Sequence, residues 1–77
     1  MKGKIYRTEG PIEDCGQLTL KEAQDIVGGY IEVIYPQGTQ VIMNEDGKML
    51  NLGFNPLATL LTGVELCGTV IIGNVLD

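Results

Sequence analysis

Alternating polar and apolar positions at the start of the chain predict a β-strand. In KGKIYRT, residues 2–8, Lys4 and Tyr6 fall on one face and Ile5 and Arg7 on the other. This period of two is typical of a half-exposed strand. The stretch EGPIEDCG that follows has no such alternation and is interpreted as an interruption.

A helix is predicted to follow from Thr19. Thr19 and Glu22 have the T-x-x-E spacing of a capping box, in which each side chain accepts a hydrogen bond from the other residue's backbone N–H. Gly28 or Gly29 is expected to end the helix, because glycine enters the left-handed C′ conformation without penalty. The apolar residues at helical spacing form one stripe: Leu20, Ala23, Ile26 and Val27.

The middle of the chain predicts two hairpins. The segment YIEVIY and the segment TQVIMN are rich in β-formers and are separated by Pro36, Gln37 and Gly38, which favours a first hairpin. Asp46-Gly47, between VIMNE and KMLNL, favours a second one, because both central residues of a type I′ turn need positive φ.

A second helix and a central strand are predicted in the last third. Asn55 is a favoured N-cap, Pro56 fits the first helical position, and Gly63 would close two turns. The leucines of this helix are expected to face the core: Leu57, Leu60 and Leu61. GTVIIGNV, residues 68–75, is a nearly continuous β-branched run, the pattern of a strand covered on both faces near the centre of a sheet.

Together these elements predict an α+β fold, in the order β-α-β-β-β-α-β, with a small, mainly antiparallel sheet of about five strands and two short helices. The 77 residues, 1–77, are interpreted as a single domain. A chain of this size buries only roughly 60 to 65% of the surface that it exposes when unfolded. We therefore expect a homo-oligomer, in which self-association supplements a small core.

The charge distribution limits the class of partner. Ten acidic residues against five basic ones give a net charge of −5, which argues against binding of extended nucleic acid. Three of the five basic residues, Lys2, Lys4 and Arg7, lie in the first seven positions. They favour either a solvated edge strand, whose lysines discourage pairing with other chains, or an anion site.

The residue types exclude several chemistries. The sequence has no histidine and no serine, so Ser-His-Asp and Cys-His catalysis are excluded in their usual form. Cys15 and Cys67 lie too far apart for a local metal motif and are expected to be structural thiols. The carboxylates of Glu32, Glu45 and Asp46 fit no catalytic pair and are expected to be solvated. We expect no enzyme, no metal and no cofactor.

Two further patterns are missing. The glycines match neither a phosphate loop nor a dinucleotide fingerprint. The longest uninterrupted apolar run, residues 70–72, is far too short to cross a bilayer, and no charged leader precedes a long apolar segment. We therefore expect no membrane association and a cytosolic location.

NEDGKMLNLGFNP, residues 44–56, is the most distinctive stretch, and it has two interpretations. It is explained as a turn, a short strand and a helix cap, yet free N–H groups at a helix start also attract anions. In the second interpretation Arg7 or Lys48 would hold a small phosphate ligand, and polar or aromatic side chains would supply hydrogen bonds and a stacking face. The candidate ligand-binding residues are Arg7, Tyr30, Asn44, Lys48, Asn51, Asn55 and Thr59.

Four blocks, spread over roughly residues 18–75, together resemble a family of small domains of unknown function that is common in bacteriophages and their hosts. The blocks are GGYIEVI at 28–34, NEDGKMLNL at 44–52, NPLAT at 55–59 and GTVIIGN at 68–74. The family pattern is matched by Gly28, Gly29, Tyr30 and Glu32, by Asn44, Glu45, Asp46, Gly47 and Lys48, and by Asn55. It usually has an acid after the glycine of the last block, where this chain has Thr69.

The resemblance implies a phage setting in the host bacterial cytoplasm and carries no activity. Two hypotheses follow. In the first, a homo-oligomeric, non-enzymatic anti-defence protein binds and sequesters a small phosphorylated, nucleotide-derived immune signal. In the second, a phage-encoded inhibitor binds a host defence protein directly through an acidic or strand-edge surface.

Overall fold

The computed structural model describes residues 3–76, which form one five-stranded antiparallel sheet and two helices. This confirms the predicted α+β class, the number of strands and the number of helices. The strands are β1 (Gly3–Tyr6), β2 (Glu13–Cys15), β3 (Ile31–Ile34), β4 (Val41–Asn44) and β5 (Val70–Ile72). The helices are α1 (Leu20–Val27) and α2 (Pro56–Thr62). Along the sheet the strands lie in the order β2-β1-β5-β4-β3.

Helix α1 has both predicted ends. The backbone N–H of Glu22 donates to the hydroxyl of Thr19 at 3.2 Å, and the N–H of Thr19 donates to the Glu22 carboxylate at 2.8 Å. The helix ends at Gly28, which has a φ of 83°. Ala23 and Val27 are buried against one face of the sheet, whereas Leu20, at the N-terminal end of the predicted stripe, is exposed.

The two helices lie on opposite faces of the sheet. Ile71 and Ile42 belong to the core under α1, and their chain neighbours Val70 and Val41 belong to a second core together with Ala58 of α2. Successive strand residues point to opposite faces, so these neighbours divide between the two cores. The central position of β5, with cover on both faces, is thereby confirmed.

Helix α2 is capped as predicted but packs differently. Asn55 is its N-cap, Pro56 is its first residue and Gly63, with a φ of 74°, ends it. The leucines that were expected to face the core, Leu57, Leu60 and Leu61, are exposed, and that prediction is wrong. Ala58 is the buried residue of α2, because a methyl group lets the helix lie close to the sheet.

The predicted hairpin at Asp46-Gly47 is wrong. Residues 45–51 form successive turns, with Gly47 N–H donating to Asn44 O at 3.1 Å and Leu52 N–H donating to Gly47 O at 3.0 Å. A Cβ on Gly47 would lie 2.9 Å from the carbonyl oxygen of Cys67. The glycine is therefore needed for close approach of two backbone segments. The hairpin of β3 and β4 around Pro36–Gly38 is confirmed.

The fifth strand lies instead in the stretch that the sequence pattern presented as an interruption. Strand β2 pairs with β1, and the opposed residues Lys4 and Asp14 form an ion pair. Arg7 and Glu13 form a second ion pair at 3.0 Å. Because β1 lies between β2 and β5, it is not an edge strand, which corrects one of the two interpretations of its basic residues.

No helix of the described residues is long and apolar enough to span a membrane.

Candidate functional site

Asn44 links the first two of the four sequence blocks in space. Its side-chain amide donates to the carbonyl oxygen of Val27 at the end of α1, at 3.2 Å, and its side-chain oxygen accepts from the N–H of Asp46 at 2.8 Å. Gly29 makes room for this amide, since a Cβ there would lie 2.9 Å from Asn44 Nδ2. The buried Asn44 therefore fixes the turns of residues 45–51 against the end of α1.

Asn55 is fully buried, and its polar atoms bind backbone. Its side-chain amide donates to Tyr6 O at 2.8 Å and to Gly68 O at 2.9 Å, and its side-chain oxygen accepts from Ala58 N–H at 3.1 Å. The hydroxyl of Thr59 likewise accepts from Leu66 N–H at 3.0 Å. The polar side-chain atoms of Asn55 and Thr59 thus form hydrogen bonds to the backbone inside the fold. One of these bonds, from Ala58 N–H to the side-chain oxygen of Asn55, caps the start of α2.

The basic side chains are all engaged in the part of the chain that the structure describes. Lys48 pairs with Glu65 at 3.2 Å and Lys21 with Asp25 at 2.7 Å, in addition to the pairs Lys4–Asp14 and Arg7–Glu13. The hydrogen bond from Arg7 lowers the pKa of the Glu13 carboxyl, and the hydrogen bond to Asp14 raises the pKa of Lys4. Lys2 lies outside the described residues. The cationic groups of residues 3–76 therefore face carboxylates already.

The other candidate residues lie apart. Tyr30 is 71% exposed and lines a shallow depression at the end of α1, beside Gly28 and Gly29. Asn51 is exposed in the turns, with a φ of 55°. Of the seven predicted residues, the structure brings Asn44 and Lys48 together in one groove.

That groove has a volume of about 400 Å³ and lies on the α2 side of the sheet. Ile34 of β3 and Met43 of β4, which lie diagonally across from each other on one face of the sheet, form an apolar floor. The turns after β4 form one wall and the segment before β5 forms the other. The lining residues are Glu32, Ile34, Met43, Asn44, Glu45, Asp46, Gly47, Lys48, Met49, Val64, Glu65, Leu66 and Cys67.

Acidic side chains surround this apolar floor. Glu32, Glu45, Asp46 and Glu65 line the groove, against a single lysine that is paired with Glu65. Glu32, Glu45 and Asp46 were expected to be merely solvated. Their clustering depends on the pairing of β3 with β4 and on the turn wall, so the sequence pattern did not indicate it. The opposite wall, residues 64–67, was also missed, because it has no local signal.

The two thiols lie in different surroundings. Cys15 and Cys67 are free and half-buried, and Cys67 lines the groove. Burial raises the pKa of the Cys15 thiol. Among residues 3–76 no group of three or more cysteine, aspartate or glutamate side chains is arranged to hold a metal ion.

The fold and the groove define a small α+β domain whose surface groove has an apolar floor surrounded by acidic side chains. The chain belongs to the family described as Domain of unknown function (DUF3846), whose model matches residues 2–76. Membership in a family of domains of unknown function, which the four sequence blocks predicted, is thereby confirmed. No curated protein and no solved structure matches the chain.

Proposed function

We propose that this domain is a non-enzymatic binding protein whose groove takes a segment of a partner protein. The observation that carries the proposal is the combination of an apolar floor, Ile34 and Met43, with acidic walls. A complementary segment has an apolar side chain for the floor and lysine or arginine side chains for the walls.

The charge balance supports a basic partner over a phosphorylated ligand. The groove carboxylates of Glu32, Glu45 and Asp46 have no ion-pair partner among residues 3–76, whereas every basic side chain there has one. In a chain of net charge −5, such a concentration of acids accelerates encounter with a basic surface. An anionic ligand would meet repulsion at the same place.

The biological setting is part of the proposal. The resemblance to phage-associated domains motivates a role as an inhibitor that binds a host defence protein in the bacterial cytoplasm. A small protein needs no catalytic group for that role, because occupation of a basic functional surface on the target suffices.

A defined peptide pair tests the groove. One fluorescent peptide alternates lysine with leucine, and its matched control alternates glutamate with leucine. We expect the basic peptide to bind, with an affinity that falls as salt rises from about 50 to 500 mM, since screening weakens contacts between exposed charges. The triple variant E32Q/E45Q/D46N is expected to lose about tenfold in affinity.

A matched variant separates local charge from net charge. E9Q/D14N/D25N removes the same number of carboxylates outside the groove and is expected to bind like the wild type. Equal weakening of both variants, or no binding of the basic peptide, would overturn the proposal.

Purification from phage-infected cells tests the setting. We expect a host protein to co-purify with the wild type, to elute with salt and to be lost from the groove variant. Sequestration of a nucleotide-derived signal predicts another outcome, a bound nucleotide without a protein partner. It would dominate the near-ultraviolet spectrum, because the chain has three tyrosines and no tryptophan.

A further inference from the structure

Helix α2 presents an apolar stripe that no part of the described chain covers. Leu57, Leu60 and Leu61 have the spacing i, i+3 and i+4, so they lie along one side of the helix. Their exposed fractions are 39, 79 and 55%. Since Ala58 is the residue of α2 that is buried against the sheet, these side chains contribute little to the core of the single chain.

The segment of the chain that carries this stripe is uncharged. Residues 49–64 contain no ionisable side chain, in a chain whose net charge is −5. The same segment holds further exposed apolar residues just before the helix, among them Leu50, Leu52 and Phe54. Large exposed apolar side chains concentrated in one uncharged segment mark an interaction site.

We infer that the apolar stripe of α2 is the contact between two copies of this chain in a two-fold symmetric dimer. In such an interface the same patch meets itself, so it has to be self-complementary. An uncharged apolar stripe meets its own copy without repulsion. The acidic groove would meet a copy of itself with like charges opposed, and the net charge disfavours contacts between copies over most of the remaining surface.

A stable dimer needs more contact area than α2 alone offers. A stable dimer buries about 800 Å² on each partner, roughly a sixth of the 4608 Å² of accessible surface on this chain. A helix of seven residues is only about 10 Å long. The exposed residues of the segment that leads into α2, Leu50, Leu52 and Phe54, are therefore needed to complete the contact. Dimerisation would also supply burial that so short a chain lacks.

Light scattering coupled to size exclusion measures the mass directly. We expect a mass of twice 8.3 kDa as the concentration rises from about 1 µM to 1 mM. In L60E the charge would be buried against its own symmetry mate, so the dissociation constant is expected to rise about a hundredfold. L20E, an exposed leucine of α1 on the other face of the sheet, is the matched control and should dimerise like the wild type.

A monomeric wild type at the highest concentration, or an unchanged dimer of L60E, would overturn the inference. If L60E fails to fold by circular dichroism, the concentration dependence of wild-type amide chemical shifts decides. Changes centred on residues 57–61 support the inference, and changes elsewhere or none contradict it. Leu60 does not line the groove, so binding of the basic peptide by L60E tests the proposed function separately.

Discussion

The side-chain amide of Asn55 donates to the carbonyl oxygen of Tyr6, 2.8 Å away and 49 positions earlier in the chain. The same amide reaches the carbonyl of Gly68, while the side-chain oxygen caps α2. One buried side chain thus connects the end of β1, the start of α2 and the approach to β5. From the sequence, Asn55 was expected only to cap a helix, whereas in the structure it also connects three separate segments of the fold.

Asn55→Ala is expected to destabilise the fold strongly. It leaves two backbone carbonyls and one N–H without their partner in the interior, at a cost of about 2–4 kcal/mol in the free energy of unfolding. Urea denaturation followed by circular dichroism measures this. Asn55→Ser keeps a cap acceptor and loses both donated bonds, so it should recover only about 1 kcal/mol. Equal stability of the alanine variant and the wild type would show that the hydrogen bonds of Asn55 do not stabilise the fold.

Gly47→Ala is expected to destabilise through backbone contact. The added Cβ would lie 2.9 Å from the carbonyl oxygen of Cys67, and backbone has little freedom to retreat. We expect a loss of about 1–3 kcal/mol in the free energy of unfolding. Gly16→Ala is the control, because a Cβ there meets nothing within 4 Å. It should be neutral or slightly stabilising. Similar urea-denaturation midpoints for the two variants would show that the backbone of Cys67 does not pack tightly against Gly47.

Gln40→Ala is expected to release the segment after β5. The buried side-chain oxygen of Gln40 accepts from the N–H of Val75 at 3.2 Å and of Leu76 at 3.0 Å. The N–H of Val75 also donates to Gly73 O at 2.9 Å, so the larger effect is expected at Leu76. Its amide should exchange with solvent faster, and the free energy of unfolding should fall by about 1–3 kcal/mol. Tyr35→Phe is the control: it removes the hydroxyl that accepts from the side-chain amide of Gln40. The bonds from Val75 and Leu76 to the side-chain oxygen of Gln40 remain, so hydrogen exchange at these two amides should be unchanged.

Glu13→Gln is expected to change the acid dependence of stability. The hydrogen bond from Arg7 lowers the pKa of Glu13 in the folded state, so the pair stabilises the fold above the ordinary pKa of a glutamate. That contribution is lost as the pH falls through the lowered folded-state pKa. Wild type and variant should therefore differ near neutral pH and converge in acid. Glu9→Gln, at an exposed position without an ion pair among residues 3–76, should show no such convergence.

Features governed by neighbouring residues were predictable from the sequence. The capping box of Thr19 and Glu22, the cap at Asn55 and the terminating Gly28 and Gly63 all depend on contacts within a few positions. The β-branched run of β5 also indicated its position, because two covered faces leave no polar alternation.

Features governed by distant contacts were not predictable. Asp46-Gly47 matches a hairpin turn, yet Gly47 is required by the carbonyl of Cys67, twenty positions later. The leucines of α2 match a core-facing stripe, yet the close packing of Ala58 leaves them outside. Strand β2 pairs with β1, and its carboxylates form ion pairs with Lys4 and Arg7. A short polar segment carries no sign of such pairing.

The central place of β5 has a consequence for synthesis. Strands β1 and β2 form one hairpin and β3 and β4 another, and β5 is the strand that joins them. Two-stranded hairpins are marginal by themselves. During synthesis, then, the nascent chain would contain two hairpins that do not pair with each other until β5, which ends at residue 72, has been made. A fragment that ends at residue 69 lacks β5 and should therefore show no cooperative thermal unfolding.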